Sequence, residues 1–450
     1  MSTSAPLSFA QEALVASRDL THAVVPVYLR VRGVLDVSAL HRAIALVIAR
    51  HPALAMRLVA DDGSFRQVFD TRRVPPFDVV GLEDASPSIL RTAAMEFAGE
   101  PMDPFQGDSF RCRVVRLGRE DHLVLLNMHH LYADGWGVKV VLQELWQGYD
   151  AYAAGDEPQL PRPGADYGEY AAYERMSGRT LTDEQQAFWR EAMKENVSAR
   201  LTPQARSEPV SEPRVAQCIE QSLSPDELQR ILAFGRLADV TPSSALLSSV
   251  LLALRRMCAQ DDLTITFVSS GRDDRRFART LGLFSRRLPL RVLVDSGMTL
   301  EQFATSLMRS WSSAVSQSKP PYSFRGLRDF LGLQTHSCAH EVRGEDVELQ
   351  VNFPVFPAFE KLTRSDLLIE GIEMSQRKQT LAQPRLMLGV RHANKVVASA
   401  VFNDAYVPSD TVHDLLGHFA SQARNMTPTH RGHTISELDQ LVEAQTWQRR

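Results

Sequence analysis

The stretch Asn127-Met-His129-His130-Leu-Tyr-Ala-Asp134-Gly135-Trp136-Gly137 constrains the fold of this chain more than any other. Ahead of it, His122 to Met128 is a continuous apolar run that reads as a strand. Behind it, Val138 to Tyr152 has helical spacing, with Val141, Leu145 and Tyr149 on one face. A strand passing into a helix through a short polar turn is a junction of an α/β fold, and sites are usually built at such junctions. Adjacent side chains on a strand point to opposite faces. His129 and His130 therefore cannot easily share one ligand or metal: one ring faces the site and the other packs or orients. Asp134 is placed to hold the turn by bonding backbone amides or an arginine. Gly135 can take a backbone conformation that a side chain forbids. A histidine pair alone is as readily structural as catalytic, and the full string after a strand is more specific.

The rest of the chain keeps the α/β alternation. Val24 to Val31 reads as a strand and Val37 to Ile48 as a helix. Phe110 to Leu117 is a strand separated from the one at His122 by Gly118 to Asp121, a spacing that suits a hairpin or adjacent strands. Gly155 to Ala165 holds three prolines and two glycines and reads as a connector. Helices are expected over Tyr167 to Met176 and Asp183 to Lys194, and a second loop over Val197 to Val215. The second half predicts helices at Ser224 to Leu237, Ser243 to Met257 and Leu300 to Val315, with a closing helix at Asp410 to Ala423. Strands are expected at Leu263 to Val268, Leu288 to Val294, Val347 to Phe353, Arg385 to Val390 and Val396 to Phe402. The expected fold class is α/β, with two lobes of similar architecture and mixed sheets. The lobe boundary is set near residue 178, giving a first lobe over 1–178 and a second over 179–450.

Composition narrows the partners. Fifty basic against fifty-four acidic residues give a formal charge of −4, so neither nucleic acid nor an anionic membrane is expected as the main partner. Cys112, Cys218, Cys258 and Cys338 are scattered, with no CxxC pair, which fits a reducing compartment. No basic residue precedes Arg18, and the longest helical apolar run, Ala245 to Leu254, is broken by Ser248 and Ser249. The reading is a soluble, cytoplasmic chain.

Histidine is the usual general base near neutral pH. No GxSxG, HExxH, Walker or Gly-rich dinucleotide pattern accompanies it, so no metal and no bound cofactor is expected. A histidine without a Ser or Cys nucleophile motif beside it points to direct deprotonation of a substrate nucleophile.

HHLYADG resembles the HHxxxDG signature of the condensation domains of nonribosomal peptide synthetases, in the chloramphenicol-acetyltransferase-like superfamily. Four further stretches fall in that family's order. Leu7-Ser8-Phe-Ala10-Gln11 resembles its SxAQ motif, and Arg50-His51-Pro-Ala-Leu-Ala-Met-Arg57 its RHxxLR-type motif. Tyr167-Gly-Glu-Tyr170-Ala-Ala-Tyr173 resembles YxDYAxW, with Tyr173 where Trp is usual. Leu281-Gly282-Leu-Phe284-Ser285-Arg286-Arg287-Leu-Pro289-Leu-Arg291 resembles IGxFVNTLPLR, with Ser285, Arg286 and Arg287 replacing VNT. The likeness runs from about Leu7 to about Ala423, and the first lobe is the better matched.

The resemblance implies two acetyltransferase-like lobes in a V, with an active-site tunnel between them. It maps His130 to the catalytic position, with Gly135 supplying a backbone amide to the oxyanion. It maps His129 and Asp134 to loop supports, with Trp136 beside them. The family pairs this Asp with an arginine, for which Arg57 and Arg291 are the candidates. The implied partners are a carrier protein bearing the acyl donor on phosphopantetheine and a small-molecule or carrier-bound acceptor, with the enzyme a monomer. One condensation unit fills the length, so a free-standing enzyme is expected, with amide and ester products both open. An acyl-CoA-dependent acyltransferase and a non-catalytic recruitment relative are the alternatives; the doubled histidine and flanking motifs favour the carrier-dependent enzyme.

Arg272, Arg275, Arg276, Arg279, Arg286, Arg287 and Arg291 crowd one stretch, offset by Asp273 and Asp274. Arg275, Arg276 and Arg279 are expected in a solvated loop. Arg286 or Arg287, beside Ser285, is a candidate to bind the carboxylate of a free acceptor.

Overall fold

The computed structural model describes residues 4–16, 20–69, 76–82, 86–177, 180–194, 214–319, 321–332, 347–353, 362–364, 366–372, 380–381 and 385–447. Two six-stranded mixed sheets carry the molecule. The first runs, in spatial order, Leu362–Arg364, Leu367–Gly371, Val24–Arg32, Asp121–His129, Phe110–Arg116, Phe77–Gly81. The second runs Arg286–Leu293, Asp262–Ser269, Glu348–Asn352, Arg385–His392, Val396–Phe402, Gln217–Leu223. In the first sheet Phe77–Gly81 pairs parallel to its neighbour; in the second, Glu348–Asn352 is parallel to both of its neighbours.

Asp121–His129 is buried almost throughout because helices cover both faces of its sheet. Val124, Leu126 and Met128 face one core with Leu40, Ile44 and Val47 of helix Val37–Arg50 and Val141 and Leu145 of helix Gly135–Ala153. Leu123 and Leu125 face a smaller core under Leu90, Ala94 and Phe97 of helix Pro87–Gly99. This explains the unbroken apolar run: a strand covered on both sides has no wet face on which polar residues would alternate.

Helix Pro242–Cys258 is the central rod of the second core, buried from Ser244 to Leu254. Ser248 and Ser249 sit inside it because their hydroxyls donate to the Ser244 and Ala245 carbonyls, at 2.9 and 3.2 Å. Among the described residues no single helix is long and apolar enough to cross a membrane. Cys112 and Cys258 are free thiols, and Cys338 lies outside the described residues.

The predicted elements stand with ends shifted by a few residues, and the structure adds several. Helix Phe9–Val15 is one; its capping box joins Ser8 and Gln11, which is the physical content of the SxAQ motif. Hairpin Met56–Asp61 and Ser64–Phe69, and helix Pro87–Gly99, are others. The closing helix spans Ser409–Asn425 and is followed by another, Ile435–Trp447, where Thr434 and Glu437 exchange capping bonds. The expected loop over Val197 to Val215 falls mostly on residues 195–213, outside the described residues, as does position 178.

One connection crosses the sequence halves. Strands Leu362–Arg364 and Leu367–Gly371 belong to the first sheet, with Leu368 to Gly371 pairing against Arg32 to Leu29. Phe277, Leu281 and Phe284 also pack in the first core. The first core thus takes material from both halves of the sequence.

Candidate active site

Strand Asp121–His129 delivers His129 and His130 to its carboxyl end, and helix Gly135–Ala153 begins five residues after His130. His129 is fully buried. Its Nδ1 accepts from the Leu131 amide at 3.1 Å, so Nε2 carries the proton and donates to the Leu20 carbonyl at 2.8 Å. Burial drives its pKa down to about 4, against the raising effect of the Leu20 carbonyl, and His130 lowers it further. His129 is therefore a neutral structural ring. His130 is half-buried, and its Nδ1 lies 2.8 Å from the Ala133 carbonyl. A carbonyl only accepts, so Nδ1 holds the proton and Nε2 is left as a basic lone pair. The strand's alternation thus separates the two rings by role: one is bonded at both nitrogens, the other at one.

Asp134 is buried and satisfied on both oxygens. Oδ1 accepts from the Gly137 amide at 2.8 Å, capping the helix. Oδ2 accepts from Arg272 Nη1 at 2.6 Å and from the Phe284 amide at 3.1 Å. The arginine partner is thus Arg272, not Arg57 or Arg291. Arg57 is exposed on strand Met56–Asp61, because the alternation of that hairpin turns it outward. Arg291 grips Asp262 on the neighbouring strand through Nε and Nη2 at 2.9 and 2.6 Å. Arg272 lies over the Phe284 ring, 4.2 Å from its centroid, and also donates to the Thr280 carbonyl at 3.1 Å. Its side chain is only 4% exposed.

The five motif stretches meet around this turn. Gln11 Nε2 donates to the Leu131 carbonyl at 3.0 Å, inside the histidine loop. Ser8 Oγ lies 2.8 Å from the Tyr167 hydroxyl, which donates to the Leu283 carbonyl at 2.6 Å. Tyr167 packs so closely on Gly282 that a Cβ there would sit 2.0 Å from its ring. Gly271, with φ +66°, approaches Phe284 as closely: a Cβ would meet its carbonyl oxygen at 1.9 Å. A Cβ on Gly137 would sit in ordinary contact with Leu281 and Asp134, at 3.4 and 3.5 Å. Trp136 Nε1 donates to the Ala278 carbonyl at 2.9 Å. Gly135, by contrast, faces open space: a Cβ on it would meet nothing within 4 Å.

Glu144 has a fully buried side chain on the helix that follows the loop. It accepts from Arg50 Nε and His51 Nε2, both at 2.9 Å, and from Arg279 Nη2 at 2.8 Å. Burial raises its pKa, but the bonds from His51, Arg279 and Arg50 outweigh that and hold it at about 2. The RHxxLR-type motif therefore anchors this helix, and Arg279, its side chain 30% exposed, reaches from the arginine-rich loop to pair with this buried carboxylate. Arg275 and Arg276 are exposed as expected, with Arg276 pairing Asp274 at 2.7 Å. A cavity of about 200 Å³ opens beside Arg50, His51, Asp166 and Thr280; His130 does not line it.

Arg286 is spent on internal bonds: to the Ser318 carbonyl at 2.7 Å, the Gly271 carbonyl at 2.8 Å, and Asp273. With both Nη groups committed and Nε buried, Arg286 presents no donor pair to an acceptor carboxylate, contrary to the expectation. Ser285 and Arg287 are half-buried at the start of the same strand. Among the described residues no cluster of His, Cys, Asp and Glu could hold a metal.

The strand-to-helix turn thus presents a histidine bonded only at Nδ1, and Asp134 of the same turn is clamped by Arg272 from the second half of the sequence. A family model for the condensation domain matches residues 1–422, and the chain belongs to that family, whose members form amide or ester bonds by acyl transfer. One component of the linear gramicidin synthase of Brevibacillus parabrevis is 28% identical over 360 residues, 78% of this chain and 5% of that protein. Another component of the same synthase is 25% identical over 426 residues, 92% of this chain and 8% of that protein. The chain thus spans less than a tenth of either relative's length. Among solved structures, SgcC5 of Streptomyces globisporus, in complex with a naphthyl ethanediol and sucrose, superposes with a TM-score of 0.77 at 20% identity. That match covers 93% of this chain and 98% of the other. The starter condensation domain of rhizomide synthetase, a point mutant in complex with C8-CoA, gives 0.77 at 20% identity, covering 96% and 97%.

Proposed function

We propose that this protein moves an acyl, peptidyl or polyketidyl group from a carrier-protein thioester to an amine or hydroxyl acceptor. The observation that carries the reading is the His130 tautomer: Nδ1–H held by the Ala133 carbonyl, with Nε2 left as the base. Nε2 accepts the acceptor's N–H or O–H hydrogen and takes the proton as nitrogen or oxygen bonds to the thioester carbonyl carbon. The tetrahedral oxyanion lies toward the Gly135 amide, at the N-terminus of helix Gly135–Ala153. Its collapse breaks the C–S bond, and the proton on His130 passes to the departing thiolate. His129 and Asp134 position the loop, and the phosphopantetheine arm comes with the carrier protein. The diol bound to SgcC5 and the acyl-CoA bound to the rhizomide starter domain agree with a hydroxyl acceptor and an acyl-thioester donor.

The test offers one acyl group on a carrier protein and on CoA, with a mixed pool of small amines and alcohols, and follows donor mass. Loss from the carrier, reduced about 10²- to 10⁴-fold in His130→Ala, is the expected result. Faster loss from CoA moves the donor to acyl-CoA. Equal loss in native enzyme and variant removes His130 from the chemistry.

A further inference from the structure

The arginines between Arg272 and Arg291 separate into those with settled roles and one without. Arg272, Arg276, Arg279, Arg286 and Arg291 each grip a named carboxylate, and Arg275 is exposed. Arg287 makes no hydrogen bond to any described residue. Its nearest carboxylate oxygen is Glu348 Oε2, at 3.8 Å. That oxygen is already held by Arg385, through Nε at 3.1 Å and Nη2 at 3.0 Å. The Arg287 guanidinium lies over the Phe324 ring, 4.7 Å from its centroid. Its side chain stays 28% exposed. Burial, then the nearby Arg385 and Arg328, lower its pKa to about 10 against the pull of Glu348, and it remains charged at neutral pH.

Its place in the fold matters equally. The Phe284 amide, three residues earlier, bonds Asp134 of the histidine loop. Three residues of extended chain span at most about 10 Å. Arg287 therefore stands at the seam where the second half of the sequence meets the turn carrying His130. A planar cation beside an aromatic face, part-exposed and with no carboxylate nearer than 3.8 Å, is suited to be the receptor half of a two-point carboxylate contact.

We propose that Arg287 binds a carboxylate of the acceptor, which makes the acceptor an amino acid or a hydroxy acid. The inference rests on the acyl-transfer reading above. The carboxylate stays ionised and unreacted on Arg287 while the amine or hydroxyl of the same molecule attacks the thioester.

Acceptors tested in pairs, each acid beside its primary carboxamide, decide the point against one acyl-loaded carrier protein. Native enzyme is expected to favour the acids by about tenfold or more in kcat/KM, the size of a charge-assisted hydrogen bond. Arg287→Gln brings the acid-to-amide ratio towards one by raising the KM for the acid, and Arg287→Lys restores part of it; thermal melts check that both variants fold. A ratio near one in the native enzyme, or the same ratio in Arg287→Gln, overturns the proposal. So does a preference for acceptors on 4′-phosphopantetheine over the free acids that is lost in Arg287→Gln, which gives the cation to the phosphate of the arm. Phenylglyoxal labelling, read by peptide mass, needs no turnover: the acids slow modification of Arg287 and the amides do not. A failure of His130-dependent thioester loss defeats the acyl-transfer reading, while the labelling still shows whether Arg287 takes a carboxylate.

Discussion

Asp134 gives its two oxygens to three donors drawn from different parts of the chain: its own helix start, Arg272 and the Phe284 amide. Removing a water-excluded partner leaves a buried charge uncompensated, which costs far more than a surface ion pair is worth. Arg272→Ala is therefore expected to lower unfolding free energy by about 3–5 kcal/mol. Arg276→Ala, at an exposed pair, should leave it nearly unchanged. Urea titrations of the two variants make the comparison, and equal losses would show that Asp134 does not depend on Arg272. Asp134 was legible as a loop support from its place in the motif, but its partner was not. Seven arginines lie within twenty residues, and distance along the chain does not say which one folds back.

Helix Gly135–Ala153 is pinned at both its first turn and its middle, and the middle pin is titratable. Glu144 has a folded pKa of about 2, below its ordinary 4.5. Its ionised form contributes stability that is complete above pH 4.5 and is lost as pH falls towards 2. The shift corresponds to on the order of 3 kcal/mol. His129 acts in a higher window. Its folded pKa of about 4 lies below the ordinary 6.5, so the unfolded state takes up the proton first and stability falls between pH 6.5 and 4. Glu144→Gln should be less stable than native protein at pH 7. The gap should narrow below pH 4.5 and stay constant between 6.5 and 4.5, as read by denaturant melts across pH. A gap independent of pH down to 2 would mean that folding does not lower the pKa of Glu144. The helix itself was readable from its spacing; Glu144 was not singled out, because a lone acid in an apolar helix looks like any surface position until Arg50, His51 and Arg279 converge on it.

At the scale of the molecule, the first core is not built from the first half alone. Leu367 and Ile369 from the crossing strand, and Phe277, Leu281 and Phe284 from the arginine-rich loop, are buried in it. A polypeptide of residues 1–178 would expose their counterparts and leave strand Val24–Arg32 as an open sheet edge. It is expected to lack a cooperative thermal transition, whereas the full chain shows one; circular dichroism melts of the two decide. A cooperative melt of 1–178 would show that the first lobe folds without the crossing segments.

The α/β class, the strand–turn–helix that carries His130 and the family could all be read from the order of residues. These are local facts: apolar periodicity, a polar turn and short motifs are written in neighbouring positions. Four other properties exist only once the chain has packed. Arg272 is the clamp on Asp134, Glu144 gathers two arginines and a histidine, Arg286 is tied to Asp273 and two carbonyls, and a late strand completes the early sheet. Each depends on which groups from distant segments are desolvated together, and burial and charge pairing follow from packing in space, not from position along the chain.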